Sequence, residues 1–475
     1  MFTASSFIPG TDVAAEGFIE FNRPQDDVAT GRIAEGGWAG VDAAVRSAQA
    51  AFAKHRKTPL ATRLGWMKAA AEALGSSSAE IADLICQDVG KPIRAAKFEA
   101  NRGINFIEAC AAAVPQLKGE VLALDAVPNG AGLLGMTRRV PYGVVAGITP
   151  FNAPVNLLLQ KVIPAIAVGN SIVVKPALSG TRVAGRIAEL FVKAGWPEGL
   201  FNVVSGDKKT AIALVSHPGV AAVSFTGGTA AGNDLVRAAG ARKFLAELGS
   251  NAANIVLFDA DLALAAAKIA SAGFEASGQQ CISAQRVLVD RRVLDQFLPL
   301  FVEAARALKV GLASDPATDL GPMVHRAAAD RVLAMVRDAV ARGAKPALEP
   351  VQDGATLSPG ILLDVPRDAR IWNEEVFGPI VVVAPFDTIE QAIEMANDSD
   401  FGLQGAVFTG SLAYAMRFAD DFEVGSLWIN EASRFRLDMY PFGGVKQSGI
   451  GREGVQYAME ELSQLKFIGI RSTSA

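Results

Sequence analysis

Cys281 closes the stretch "FEASGQQC", behind a glycine and two glutamines, and is one of only three cysteines in 475 residues. An Ala-rich helical pattern precedes it and the β-branched run "ISAQRVLVD" follows. A lone cysteine in such a window is either a small buried hydrophobe or a thiol nucleophile held in a polar corner. Glu247, in "AELGSNAANIV", ends a short apolar run that reads as a buried strand. A carboxylate there is costly unless hydrated or paired, so it is a candidate general base. Asn152, in "TPFNAP", follows another such strand, where its amide could donate to a developing oxyanion. "SFTGGTAAG" sets Gly227, Gly228 and Gly232 after a strand and at the start of a helix, where free N–H groups suit a pyrophosphate. "NEEVFGPI" offers Glu374, Glu375 and Phe377 for a sugar and a flat ring. Each group taken singly is equally well a cap or a turn.

Histidines number three, His55, His217 and His325, and none stands at metal-ligand spacing from another candidate. A thiol at Cys281 would therefore draw its base from a carboxylate. Cys86, Cys110 and Cys281 lie far apart with no C-x-x-C pair, so neither a disulfide framework nor a cysteine metal site is expected.

The elements that must hold these groups follow from periodicity. The first hundred or so residues read as mostly helical, as in "VDAAVRSAQAAFAKHRK", "TRLGWMKAAAEALG" and "SAEIADLICQDVGK". After "VPNGAG" the period changes, and "GLLGMTRRV" reads as a strand with polar alternation. Short, nearly all-apolar strands then alternate with helices: "GVVAGITP", "SIVVKPA", "FNVVSG", "AAVSFTGG" and "FLAELGS". Such strands are buried on both faces, as in a parallel sheet, and right-handed crossovers bring the loops after them to one edge. A second α/β series runs from "ANIVLFDADL" through "RVLVD", "GPIVVVAPFD" and "SLWIN". The tail "GREGVQYAMEELSQLKFIGIRS" reads as a helix and then a strand.

Composition sets the outer bounds. Half the residues are hydrophobic and the net charge is −4, with no basic stripe to meet nucleic acid. The N-terminus lacks the pattern of a signal peptide, and the longest apolar stretch, "VNLLLQKVIPAIAVG", is broken by Gln160 and Lys161 and too short for a bilayer. A cytoplasmic protein is expected.

Taken together, "PFNAP", "GNSIVVKPA", "SFTGGTAAG", "LAELGSNAANIV", "GQQC", "EEVFGPI" and "PFGGVKQSGIGREG" resemble, in order and over the whole chain, the NAD(P)-dependent aldehyde dehydrogenase superfamily of the hydrolytic type. The resemblance implies an α/β fold with a Rossmann-like cofactor domain (1–122 with 141–249), a second α/β catalytic domain (250–445) and a small oligomerisation β-element (123–140 with 455–475). It implies Cys281 as nucleophile, Glu247 as base and Asn152 in the oxyanion hole. For NAD or NADP it implies Thr149, Pro150, Lys175, Leu178, Thr226, Gly227, Gly228, Gly232, Leu248, Glu375 and Phe377. The thiol's pKa is then expected to be accessible near neutrality. Leu178 stands where many relatives carry a carboxylate, so NADP is expected to be accepted. Ala153 replaces an aromatic residue, which suggests a wider tunnel lined by Asn156, Leu157, Gln160 and Gln280. Arg102, Arg434 and Arg436 are candidates to pair an anionic substrate tail. The implied partners are a small aldehyde and further copies of the chain, as a homodimer or homotetramer, with no metal, nucleic acid or membrane. A CoA-acylating semialdehyde dehydrogenase is the alternative, opposed by the presence of Glu247. A non-catalytic use of the fold is opposed by the presence of both Cys281 and Glu247.

Overall fold

In a computed structural model describing residues 1–471, the apolar strands predicted between residues 144 and 247 assemble into one sheet. We label them β1 (Val144–Thr149), β2 (Ser171–Pro176), β3 (Phe201–Val203), β4 (Ala222–Thr226) and β5 (Lys243–Glu247). Their spatial order is β3-β2-β1-β4-β5, all parallel. β1, β2 and β4 are buried along their whole length, which is why they read as continuous hydrophobic runs. The chain winds outward from β1 in both directions, so the switch point lies between β1 and β4, where such sheets open a crevice at their C-terminal ends. Helix α1 (Asn156–Ala167) follows β1 and helix α2 (Thr229–Ala239) follows β4.

A second sheet contains Lys345–Leu348, Gly360–Leu363, Ile380–Phe386, Arg286–Asp290, Ala253–Val256, Gln404–Phe408 and Ser426–Ile429, in that spatial order. All pairs are parallel except the edge pair between Lys345–Leu348 and Gly360–Leu363. The two sheets are tied together by the short strand Gly449–Ile450, which crosses back to pair antiparallel with β5, Gly449 opposite Glu247. A third, antiparallel sheet joins Val121–Leu122, Leu133–Pro141 and Ser463–Arg471. The strand expected at "GLLGMTRRV" is thus present, and its long partner is the terminal strand.

One expectation fails. The N-terminal region is not helical from its start: Phe2–Ala4, Gly17–Asn22 and Ala29–Glu35 form a three-stranded sheet before the first helix, Gly37–His55. These strands are half-exposed, so their alternation is diluted by polar residues and turn signals. They gain their core from Leu178, which packs with Phe2 against Ala4, Phe21 and Ile33. Among the described residues, no helix is long and apolar enough to cross a membrane.

Candidate active site

Parallel register gathers the predicted residues at one sheet edge. Lys175 of β2 lies opposite Ile148 of β1, Thr149 opposite Pro176, and Glu247 of β5 opposite Thr226 of β4. Pro150 and Leu248 are the next residues along their strands. Lys175 is buried and has no hydrogen-bond partner among the described residues, and burial pulls its ammonium down to about 8 although Asp207 opposes that. The turn after β4 is set by its glycines. A side chain at Gly232 would collide with Leu248, so that glycine lets α2 pack closely on the end of β5. Gly228 is the N-cap of α2, open to surrounding space and without a side-chain cap, so the first N–H groups of the helix remain available to an anion.

Cys281 is delivered by a strained corner. The helix α3 (Leu262–Phe274), capped by Asp261, ends at Phe274, whose ring stacks on Phe301 at 6.0 Å. Ala276, Ser277 and Gly278 then take φ values of 52°, 56° and 65° in succession. Left-handed backbone is unfavourable for the first two, and such strain persists only where the surroundings enforce it. They do so here. Ser277 Oγ donates to the Gly321 carbonyl at 2.7 Å, Gln279 Oε1 accepts the Val324 N–H at 3.0 Å, and Gly278 packs so closely on the Gly378 carbonyl that no side chain would fit. Cys281 itself packs on Ile282, Leu403 and Phe442 beside Tyr440.

The thiol is not poised near neutrality, contrary to expectation. Burial, reinforced by Glu375, pushes it up to about 12, against the pull of Arg436. Glu247 is buried, and neither of its carboxylate oxygens has a hydrogen-bond partner. Burial first, and Glu453 second, hold its pKa well above the usual carboxylate range. Sequence reasoning missed the reason. Glu453 and Lys161 are both fully buried, and Lys161 Nζ reaches Glu453 at 3.0 Å, Thr226 Oγ1 at 2.7 Å and Ser224 Oγ at 3.3 Å. Glu453 also accepts Arg436 Nη2 at 3.3 Å. Burial alone would raise Glu453, but Lys161 and Arg436 outweigh it and hold its carboxyl below the usual range. Both cations bond to Glu453 and neither bonds to Glu247, which they attract only through space while burial and Glu453 raise it. The available signal was Lys161 interrupting an otherwise apolar helix.

Asn152 is buried, and its Oδ1 makes no hydrogen bond. It lines a small cavity with Lys91, Ala276, Ser277 and Gln279, which places it beside the Cys281 corner. Its loop is fixed by another unforeseen residue, the buried Glu99. That carboxylate accepts the N–H groups of Val155 (2.8 Å) and Asn156 (3.3 Å) at the start of α1 and pairs with Lys91. Ala153 accepts the Leu157 N–H at 3.0 Å, and the Asn156 Oδ1 is buried without a partner.

Glu375 Oε1 accepts the Ser250 N–H at 3.0 Å, and burial pushes its carboxyl up to about 7 despite that bond and Arg331. Phe377, at φ 48°, meets Phe151 edge-on at 5.8 Å between centroids. Glu374, grouped with them in the sequence, does not join them. It is exposed and closed onto Arg370 by bonds of 2.8 and 3.1 Å. Of the three arginines, Arg102 is bidentate to Asp438 at 3.1 and 2.7 Å. Arg434 is spent on Glu275 (2.5 Å) and on Gln280 Oε1 (2.9 Å), which also occupies Gln280. Gln160 bridges Asp438 and Arg436 at 3.2 and 3.0 Å. Leu178 faces the N-terminal sheet as a packing residue. No group of three or more His, Cys, Asp or Glu suited to a metal ion occurs among the described residues. His217 and His325 act as turn and cap acceptors, at 3.0 Å from Gly219 N and from Ala328 N respectively.

Comparison with known proteins identifies the family. The model of the aldehyde dehydrogenase family matches residues 12–468. A 3-sulfolactaldehyde dehydrogenase of Priestia aryabhattai is 40% identical over 429 residues, 90% of either chain. The NADP-dependent glyceraldehyde-3-phosphate dehydrogenase of Bacillus halodurans, solved with NADP, is 33% identical and superposes with a TM-score of 0.96 over 99% of this chain and 100% of that one. An NAD-dependent aldehyde dehydrogenase of Sinorhizobium meliloti superposes with a TM-score of 0.94 at 30% identity, over 99% of this chain and 95% of that one.

Proposed function

The chain belongs to the aldehyde dehydrogenase family and is an aldehyde dehydrogenase working with a nicotinamide cofactor; from that premise we propose that it makes a carboxylic acid through a covalent intermediate on Cys281. The observation that carries the reading is that the thiol held by the strained corner feels the charge of Glu247, a buried carboxylate whose two oxygens are both unpartnered. Sγ of Cys281 adds to the aldehyde carbon as its proton passes to solvent water. The carbonyl oxygen becomes an alkoxide, met by the Asn152 amide and the Cys281 N–H. When bound, the nicotinamide supplies the hydride acceptor. The carbon left on Cys281 is then a thioester. Glu247 takes a proton from the attacking water, the C–S bond breaks, and the acid leaves as the thiol reforms. A raised carboxylate pKa makes Glu247 the stronger base once it is ionised. A panel of aldehydes scored by formation of reduced cofactor tests the reaction, and no signal from any of them would overturn it.

The fit to the cofactor rests on four features: uncommitted N–H groups at the start of α2, unpartnered Lys175, Glu375 anchored through only one oxygen, and Phe377 held against Phe151. Residues 1–122 with 141–249 would hold it, and 250–445 would carry the thiol. Segments 123–140 and 455–475 would build an oligomer. The terminal strand supports this, since it presents Leu465, Phe467 and Ile470 to solvent; residues 472–475 lie outside the described residues.

Both cofactors should serve. With Leu178 in place of a carboxylate, nothing at that position repels a 2′-phosphate, and Lys175 stands nearby in the sequence to meet one. Leu178→Glu should lower NADP efficiency relative to NAD by at least about tenfold. Two unit charges about 4 Å apart repel by on the order of 4 kcal/mol at an effective dielectric of 20, before solvent screening. Kinetics with both cofactors, with direct titration of NADPH and NADH binding by fluorescence, would decide. Wild-type NADP efficiency under about a hundredth of that for NAD, or no shift in the variant, would refute it.

Glu453→Gln tests the electrostatic arrangement. Removing one partner of a buried pair costs about 3–5 kcal/mol, read as a loss of unfolding free energy in denaturant. The same change removes the repulsion on Glu247 and frees Lys161 and Arg436 to attract it. Its pKa should fall, so the rise of activity with ionisation of Glu247 should move to lower pH. An unmoved pH profile would mean that Glu453 does not set the basicity of Glu247.

A further inference from the structure

Among Arg102, Arg434 and Arg436, only Arg436 has a buried guanidinium nitrogen without a hydrogen-bond partner. Its side chain is 8% exposed, and its guanidinium lies over the Phe442 ring at 3.6 Å. Both its hydrogen bonds leave from Nη2, to Gln160 and Glu453. Nε is buried with no partner. A buried guanidinium N–H without an acceptor is costly, and an incoming anion relieves that cost. Pairing with Glu453 does not account for the residue, because Lys161 already meets that carboxylate at the shorter distance of 3.0 Å.

Charge points the same way. Lys161, Arg102, Arg434 and Arg436 stand against Glu453, Asp438, Glu275 and Glu247, and burial disfavours the charged form of Glu247. The buried donor without a partner belongs to Arg436. The group is also close to the chemistry. Cys281 packs on the cluster containing Phe442, whose ring carries the guanidinium, and the two influence each other's ionisation.

We propose that Arg436 is the specificity-determining residue of the aldehyde site, receiving through Nε the carboxylate, sulfonate or phosphate of a short anionic aldehyde. The proposal rests on the Cys281 reading above. Guanidinium suits all three acids, because its permanent charge strengthens the hydrogen bond that Nε–H donates to any of their oxygens.

The test compares kcat/KM for 4-oxobutanoate, 2-oxoethanesulfonate, glyceraldehyde 3-phosphate and uncharged butanal, in wild type, Arg436→Met and Arg436→Lys. Wild type should favour at least one anion over butanal by about tenfold or more, and the preferred anion identifies the acid. In Arg436→Met the anion-to-butanal ratio should fall about 10–100-fold, carried mainly by KM, with part recovered in Arg436→Lys, which keeps the charge but not the Nε–H donor. A ratio unchanged within about twofold in the Met variant would overturn the proposal, as would a wild-type preference for butanal. Should the variants fail to fold, wild type alone suffices. Succinate should compete with the aldehyde at least about tenfold better than succinamide, and equal inhibition would overturn it. Butanal turnover without any preference for anions defeats this proposal alone, whereas no turnover of any aldehyde defeats the Cys281 reading beneath it.

Discussion

Cys281→Ser protein should oxidise its aldehyde roughly 10⁴-fold or more slowly than wild type while still binding reduced cofactor. The side chain changes by one atom, so the corner made by Ala276, Ser277 and Gly278 should persist, as should the contacts of Gln279 and Ser277 that clamp it. What is lost is the nucleophile. Burial already pushes the thiol up to about 12, which disfavours the thiolate near neutral pH. A hydroxyl is a far weaker acid again, and the same surroundings would suppress its alkoxide further. The resting thiol should accordingly react slowly with iodoacetamide at neutral pH, and faster as pH rises. Single-turnover measurement of reduced cofactor checks the main expectation. Hydride transfer at the wild-type rate in the serine variant would remove Cys281 from the reaction.

That thiol also marks where the sequence stops being informative. The parallel strands were legible because burial on both faces leaves uninterrupted apolar runs, and with them came the edge bearing Thr149, Lys175, Thr226 and Glu247. The N-terminal strands were not, since a half-exposed sheet that borrows its core from Leu178 carries little periodicity of its own. The pairing of charges was less legible still. Glu374 and Glu375 are adjacent and chemically identical, yet one is closed onto Arg370 at the surface and the other is fixed by a backbone N–H inside. Arg434 and Arg436 are two residues apart and meet different fates. Glu99, Lys161 and Glu453 come from distant segments, and only the fold brings each to its partners. Local pattern fixes which groups face inward; which charges neutralise one another is a property of the folded interior.

Glu247→Gln should separate the two halves of the reaction. The amide has nearly the shape of the carboxyl and no basicity. If Glu247 acts on the hydrolytic water, the first turnover should release reduced cofactor in a burst. The steady state behind it should be slower than wild type by about 10²–10⁴-fold, the usual contribution of a positioned general base. The sign of the pH dependence follows from the shift. Burial and Glu453 raise Glu247, which favours the protonated form that cannot accept a proton. Wild-type turnover limited by this base should therefore climb as pH rises towards the raised pKa, and the glutamine variant should lose that climb. Fold integrity is not expected to suffer, because neither Glu247 oxygen makes a hydrogen bond that the amide would break. The new NH₂ lies near Lys161, Arg436 and Arg452, as the carboxylate did, but removes a charge that burial already disfavoured. Rapid mixing with excess aldehyde, followed by the steady state on the same trace, reads both quantities. A trace slowed uniformly with no burst would place Glu247 earlier, in removing the proton from Cys281. A thioester released by added thiol, but not by water, would assign it to hydrolysis alone.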